Sequence, residues 1–132
     1  LSQAKREKIA RMWGAQVYDV FGMSEAGLMG AETEAHDGIH IWTDMFSLEV
    51  IDADTGKAVP EGEVCTLCVT PLWTNHATPF LRWNSGDVVR YIDKTENGRG
   101  IWAELFPMIR HANRTTGLLV TLAMLTVGIT LR

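Results

Sequence analysis

Apolar and polar positions change rhythm twice along this chain. Over residues 1–13, "LSQAKREKIARMW", Ile9, Met12 and Trp13 recur at helical spacing. That spacing predicts an amphipathic helix with those three residues facing a core. Ser2 stands where an N-cap belongs and Gly14 where a C-cap glycine belongs. Lys5, Arg6 and Lys8 read as its solvated face. From Gln16 to Tyr91 the period shortens toward two. A hydrophobic run from Gln16 ends as a strand at Phe21, before Gly22. Phe46, Leu48 and Val50 alternate with Ser47 and Glu49, the mark of a half-buried strand. "DADTGKAVPEGE" (52–63) reads as a hairpin connection, "VCTLCVT" (64–70) as the next strand, and "DVVRYI" (87–92) as another. The second change comes at Gly117. From there to Leu131 no residue is charged, the alternation is lost, and the stretch is too short for a transmembrane helix of about 20 apolar residues.

One helix followed by short strands implies an α+β piece with a mostly antiparallel sheet. The 132 residues are about one domain's worth, and a chain of that size can bury a core. A net charge of −4 without a basic block argues against nucleic acid as a partner. Two cysteines and no secretory signal fit a reducing, cytoplasmic setting. A chain that begins at Leu1 reads as a segment of a longer protein.

Several stretches suggest chemistry that their spacing does not support. Cys65 and Cys68 form a C-x-x-C without a second ligand pair, and three residues apart on a strand they face opposite sides. They read as small buried hydrophobes. His36 and His40, with Glu32, Glu34 and Asp37 nearby, match no metal-ligand spacing and read as an acidic, solvated loop leading into a strand. "DTGK" (54–57) lacks the first glycine and the hydroxyl of a phosphate loop, so it is a hairpin turn.

"VFGMSEAGLMG" (20–30) is the informative stretch. One reading is a serine nucleophile at Ser24 on a strand-to-helix elbow, followed in chain order by Asp87 and His111. The second glycine of that motif is one place late. A nucleotide site accounts for more residues. The Phe21 ring can stack on a base and Gly22 can let backbone approach a ligand. The Ser24 hydroxyl can reach a phosphate, and Glu25 offers a hard oxygen to Mg²⁺. A second element lies at "RWNSGDVVRY" (82–91). There Ser85-Gly86 reads as a turn that presents Asp87, just before a strand, to the two hydroxyls of a ribose. A third possibility is a β-rich binding module without catalysis, in which Phe21 merely packs and Asp87 merely caps a turn.

Three motifs in order carry a resemblance: "FGMSE" (21–25), "RWNSGD" (82–87) and "HANRTTG" (111–117). With the connecting text "DGIHIWTDMFSLEVIDADTGKAVPEGE" and "VTPL" (69–72), residues 15–117 resemble the adenylate-forming superfamily, the acyl-CoA synthetases and their relatives. They look most like its phenylacetate-CoA ligase branch. The resemblance implies an α+β fragment of an α/β adenylate-forming N-terminal domain: one N-terminal helix, then a mostly antiparallel β-subdomain. Residues 1–111 would be the C-terminal part of the large AMP-binding domain, 112–117 the start of the interdomain hinge, and 118–132 an aberrant apolar tail.

The implied activity is ATP-dependent ligation of a carboxylic acid, phenylacetate or a related aromatic acid, to coenzyme A through an acyl-adenylate. Phe21, Gly22, Met23, Ser24, Glu25, Asp87 and Arg114 would form the nucleotide site. In it, Phe21 stacks on adenine, Ser24 meets the α-phosphate, Glu25 binds Mg²⁺, Asp87 holds the ribose hydroxyls and Arg114 reaches the ribose or phosphate. Arg82 and Trp83 would support the Asp87 turn. Partners would be small molecules alone, with no membrane. The family's glycine-rich phosphate loop and catalytic lysine have no counterpart here, so the chain by itself is expected to ligate nothing.

Overall fold

A computed structural model of the chain describes residues 1–73, 77–92, 105–114 and 128–129, with 111–114 and 128–129 described by backbone alone. In chain order, α1 (Gln3–Trp13) precedes β1 (Val17–Tyr18), β2 (Val20–Met23), β3 (Gly27–Glu32), β4 (Ile39–Ile41) and β5 (Phe46–Ile51). β6 (Val64–Pro71), β7 (Trp83–Ile92), β8 (Met108–Arg114) and β9 (Gly128–Ile129) follow. Seven strands form one sheet in the order β2-β3-β4-β8-β7-β6-β5, and every neighbouring pair is antiparallel. One helix and a mostly antiparallel sheet are what the periodicity implies. β9 pairs antiparallel with β1 in a separate two-stranded ribbon, so residues 128–129 of the apolar tail are strand, while 118–127 and 130–132 lie outside the described residues.

The connection from β4 to β5 dictates the shape of the sheet. Three strands (β8, β7 and β6) separate them in the strand order, a lateral distance of roughly 19 Å in a flat sheet. Residues 42–45 join them through a tight turn in which the Met45 and Phe46 amides both donate to the Trp42 carbonyl. Such a turn cannot span that distance, so the sheet curls until β5 comes back beside β4. Backbone bonds from Trp42 to Met29 and from Leu72 to Met45 extend the β3–β4 and β5–β6 ladders into the turn. The inward faces then meet. Phe21, Met29, Ile41, Phe46, Leu67, Val69, Val89 and Ile109 fill the interior, drawn from all seven strands of the sheet. The period-two alternation supplies this face directly: Cys65, Leu67 and Val69 of β6 all point into the core. Cys68 is buried on the other face, and burial pushes both thiols above their ordinary range. Both cysteines are free thiols, each buried as a small apolar residue would be.

The connection after β5 follows its sequence. The Asp52 carboxylate accepts from the Asp54 and Thr55 amides and the Thr55 hydroxyl, and Gly56 adopts φ 66°. This is an Asx-stabilised hairpin turn, as "DTGK" implies.

The helix departs from expectation. Gly14 closes it at φ 61°, but Ser2 makes no side-chain cap bond. No residue of α1 is buried, and Met12 and Trp13 are 69% and 58% exposed. Of the apolar stripe only Ile9 is half-buried; Met12 and Trp13 stay open to solvent. Arg6, expected on the solvated face, is what ties the helix down. Its guanidinium donates to the Val17 carbonyl and reaches Glu32 at 2.7 Å and His36 Nδ1 at 3.1 Å. None of the described helices is long and apolar enough to cross a membrane.

Candidate functional site

The "FGMSE" stretch folds as a β-hairpin. β2 does not stop at Phe21 but runs through Met23; residues 24–26 form the turn, and β3 begins at Gly27, φ 73°. Ser24 and Glu25 stand exposed at its tip, while the Ala26 amide donates back to the Met23 carbonyl at 3.2 Å. Strand–turn–strand is not the strand–turn–helix elbow that a hydrolase serine needs. The hydrolase reading of Ser24 is thereby set aside.

Two residues of this hairpin, Phe21 and Gly22, are set by the packing of the sheet itself. Phe21 is 1% exposed and belongs to the core cluster, so its ring presents no open face for a base to stack on. Alternation explains this: Phe21 and Met23 share the inward face. Gly22 has a use within its own hairpin. A Cβ there would lie 2.5 Å from the Gly27 carbonyl oxygen and 3.1 Å from the Leu28 Cα, both backbone atoms. The register also shifts between Phe21 and Gly22. Glycine is what lets the two strands come so close at the shift.

The "RWNSGD" stretch also departs from its reading. Ser85-Gly86 is not a turn before a strand, because β7 already starts at Trp83. It is a bulge inside the strand: Val88 opposes Thr66, whereas Asn84 already opposes Cys68. Gly86 takes φ 70°, and two side chains satisfy the amides that the ladder loses there. Asn84 Oδ1 accepts from the Gly86 amide at 3.0 Å and Ser85 Oγ from the Asp87 amide at 3.0 Å. Asp87 is 1% exposed. Its register partner on β8 is Arg114, so the backbone brings together two residues that lie far apart in the sequence. β8 continues as strand through Arg114, past the point where the hinge is expected to begin.

The two motifs meet at a narrow cleft with no room for a water molecule. Met23, Glu25 and Ala26 of the hairpin line one side; Val69, Phe80 and Trp83 line the other. The Phe80 and Trp83 rings meet edge to face, centroids 5.0 Å apart. Sequence reasoning missed Phe80 and Val69; the run "TPFLRW" marks a hydrophobic segment but not what it packs against. It missed Glu49 as well, which holds Arg82 in a bidentate pair, 2.9 Å from both Nε and Nη2. Arg82 has φ 50°, a left-handed backbone for a non-glycine residue, and its amide donates to Thr70 Oγ1.

The histidine loop is less solvated than its composition implies. His40 is buried in β4, with Nδ1 3.4 Å from the Phe106 carbonyl and Nε2 4.0 Å from Asp37. His36 packs on the Tyr18 ring and lies 3.1 Å from Glu32. Burial pushes the Glu32 carboxyl up, but bonds from the Asp19 amide, His36 and Arg6 outweigh it, and it sits below the ordinary value of 4.5. A carboxyl lowered in the folded state stabilises the fold above its unfolded pKa and loses that contribution as pH falls through its folded pKa. Glu32→Gln is therefore expected to lower the thermal midpoint at neutral pH and to flatten its fall below about pH 4.5. Parallel curves for both proteins between pH 7 and 3 would remove Glu32 from the acid response. Among the described residues, no group of three His, Cys, Asp or Glu side chains is placed to hold a metal ion.

No family model matches the chain. Over 90 residues it is 38% identical to a phenylacetate-coenzyme A ligase of Thermus thermophilus, a match that covers 66% of this chain and 20% of that protein. Over 97 residues it is 35% identical to a phenylacetate-coenzyme A ligase of Aromatoleum evansii, covering 71% of this chain and 22% of the relative. The chain thus spans about a fifth of the length of the curated relatives it matches. In structure it superposes on an open conformation of 2-hydroxyisobutyryl-CoA ligase in complex with 2-HIB-AMP and CoA. The TM-score is 0.74 at 26% identity, over 92% of this chain and 28% of that one. The resemblance carried by the three motifs holds in both sequence and fold.

Proposed function

We propose that this chain is the nucleotide-binding stretch of an ATP-dependent carboxylic acid–CoA ligase acting on phenylacetate or a related aromatic acid. The observation that carries this is the fold shared with CoA ligases, in which Met23 and Glu25 of the hairpin adjoin Trp83 at the start of the strand bearing Asp87. In such a ligase the substrate carboxylate attacks the α-phosphorus of ATP, giving acyl-adenylate and pyrophosphate. The coenzyme A thiol then attacks the acyl carbonyl, loses its proton, and AMP leaves.

The residues of this chain do their part by position and charge. Ser24, exposed on the turn, donates its hydroxyl to an α-phosphate oxygen. Gly22 and Met23 set the backbone of that turn. Asp87 is as buried as Phe21, so it accepts from the ribose hydroxyls only once its carboxylate is uncovered, and Arg114, on the adjoining strand, neutralises charge on the ribose-phosphate side. Phe21 contributes from the core, through the hairpin it anchors, rather than by stacking on adenine. Glu25 is a single exposed carboxylate, which suits Mg²⁺, an ion that keeps most of its waters and takes one or two carboxylates beside phosphate. Bound there, the ion would offset phosphate charge as pyrophosphate departs.

The test is nucleotide binding by this chain, measured by equilibrium dialysis with radiolabelled AMP. Asp87→Asn keeps the side-chain volume and removes the charge. It is expected to weaken AMP about tenfold to a hundredfold, the worth of a charge-assisted hydrogen bond. Equal affinity for both proteins would sink the ribose role. The chain alone is expected to release no AMP from ATP and phenylacetate, because it has no residues matching the phosphate loop or the lysine; AMP release would overturn that.

A further inference from the structure

The turn that carries Ser24 and Glu25 is soft by construction. Glycines flank it at 22 and 27, the Ser24 and Glu25 side chains face solvent, and the Ala26 amide bonded to the Met23 carbonyl spans the turn itself. Phosphate recognition tolerates little looseness in such a turn, since misplacement of about 1 Å is costly. Rigidity must come from a neighbour, and the structure supplies one.

The far wall of the cleft is fixed from several sides. Trp83 sits opposite Val69 in the β6–β7 ladder and packs on Phe80. Directly before it, Arg82 is held in its left-handed conformation by the Thr70 hydroxyl and by the two-pronged pair with Glu49 of β5. That pair keeps the Glu49 carboxyl below its ordinary range. Trp83 therefore enters β7 from a pinned residue, and it lines the same narrow cleft as Met23, Glu25 and Ala26 of the hairpin. Four residues further along the same strand lies Asp87.

We infer that Trp83 is a positioning residue that locks the Ser24–Glu25 turn to the Asp87 strand, so that the phosphate-facing and ribose-facing groups are held in one geometry. Phe80 backs the ring, and Glu49 with Arg82 fixes where it stands. The inference rests on the nucleotide-site reading only for its effect on ligand binding; the coupling itself belongs to the fold.

Amide hydrogen exchange tests it in this chain. The Ala26 amide reports on the turn, and the Ile41 amide, bonded to the Pro107 carbonyl at 2.9 Å, reports on the core. Trp83→Ala is expected to speed exchange at Ala26 about tenfold while Ile41 stays near wild type. Trp83→Phe, which keeps a ring in place, is expected to restore most of the protection. AMP affinity should fall about fivefold in Trp83→Ala and recover in Trp83→Phe. No change at Ala26 overturns the coupling. Equal acceleration at Ala26 and Ile41 also overturns it, since that is loss of packing alone. If the wild-type chain binds no AMP, the nucleotide reading fails, and the exchange data still decide whether Trp83 locks the turn.

Discussion

Gly30→Ala is expected to destabilise this chain by about 3 kcal/mol or more, one methyl group notwithstanding. Gly30 lies in β3, between Phe21 of β2 and Ile41 of β4. A Cβ there would fall well inside contact distance of the His40 carbonyl oxygen and 3.0 Å from its carbonyl carbon. Those are backbone atoms of a paired strand, and they cannot rotate away as a side chain does. Relief requires β3 and β4 to separate, which breaks ladder bonds next to Met29 and Ile41, two residues with no solvent exposure. In a domain of this size the thermal midpoint should drop by about 10 °C. Gly14→Ala is the control. Gly14 has φ 61° and open space around it, so its cost is conformational strain alone, about 1 kcal/mol. Urea melts of both variants decide the matter. A Gly30→Ala midpoint equal to that of Gly14→Ala would mean that the strands have room to accept the methyl.

How far the sequence reveals this structure depends on the distance over which each feature is decided. Alternation is local, so β5, β6 and the Asx turn between them are legible residue by residue. Gly30 carries the ordinary signal of a strand glycine, a close backbone approach, without naming what approaches. Ser85-Gly86 reads as a turn because its composition is that of a turn. It is a bulge because Asn84 and Ser85 satisfy the two amides that the ladder loses, which lets the strand continue. The helix shows the limit from another side. Its stripe tells which face is apolar, but nothing in thirteen residues says whether a surface meets that face. Arg6 finds Glu32 twenty-six positions away, and Phe80 and Trp83 find the Met23 hairpin across more than fifty. Those pairings follow from the curl of the sheet, which the short β4–β5 turn imposes. The three motifs that carry the family resemblance were readable by their order along the chain; the narrow cleft between two of them was not.

Phe21 is where the two kinds of reading collide, and a pair of substitutions separates them. An aromatic residue next to a glycine turn suits a base-stacking role, yet the same ring at the inward phase of β2 suits the core, and its 1% exposure favours the core. Phe21→Ala is expected to cost about 3–5 kcal/mol through lost burial and the cavity left behind. That is a large part of the roughly 5–15 kcal/mol a domain has in all, so the variant should be marginally folded. Phe21→Leu keeps an apolar side chain in the same space and should cost less than about 1.5 kcal/mol. The ring's role follows from the leucine variant. If Phe21 serves through the core, Phe21→Leu retains both the fold and AMP affinity within about twofold, because the hairpin still presents Ser24 and Glu25. If the ring stacks on adenine, Phe21→Leu stays folded but loses about 1–3 kcal/mol of nucleotide binding, the worth of an aromatic–base contact. Stability by urea and affinity by dialysis on the same samples read the two effects separately. A folded Phe21→Leu protein with AMP binding weakened tenfold would return the base to that ring, and would require the hairpin to open toward the nucleotide when it binds.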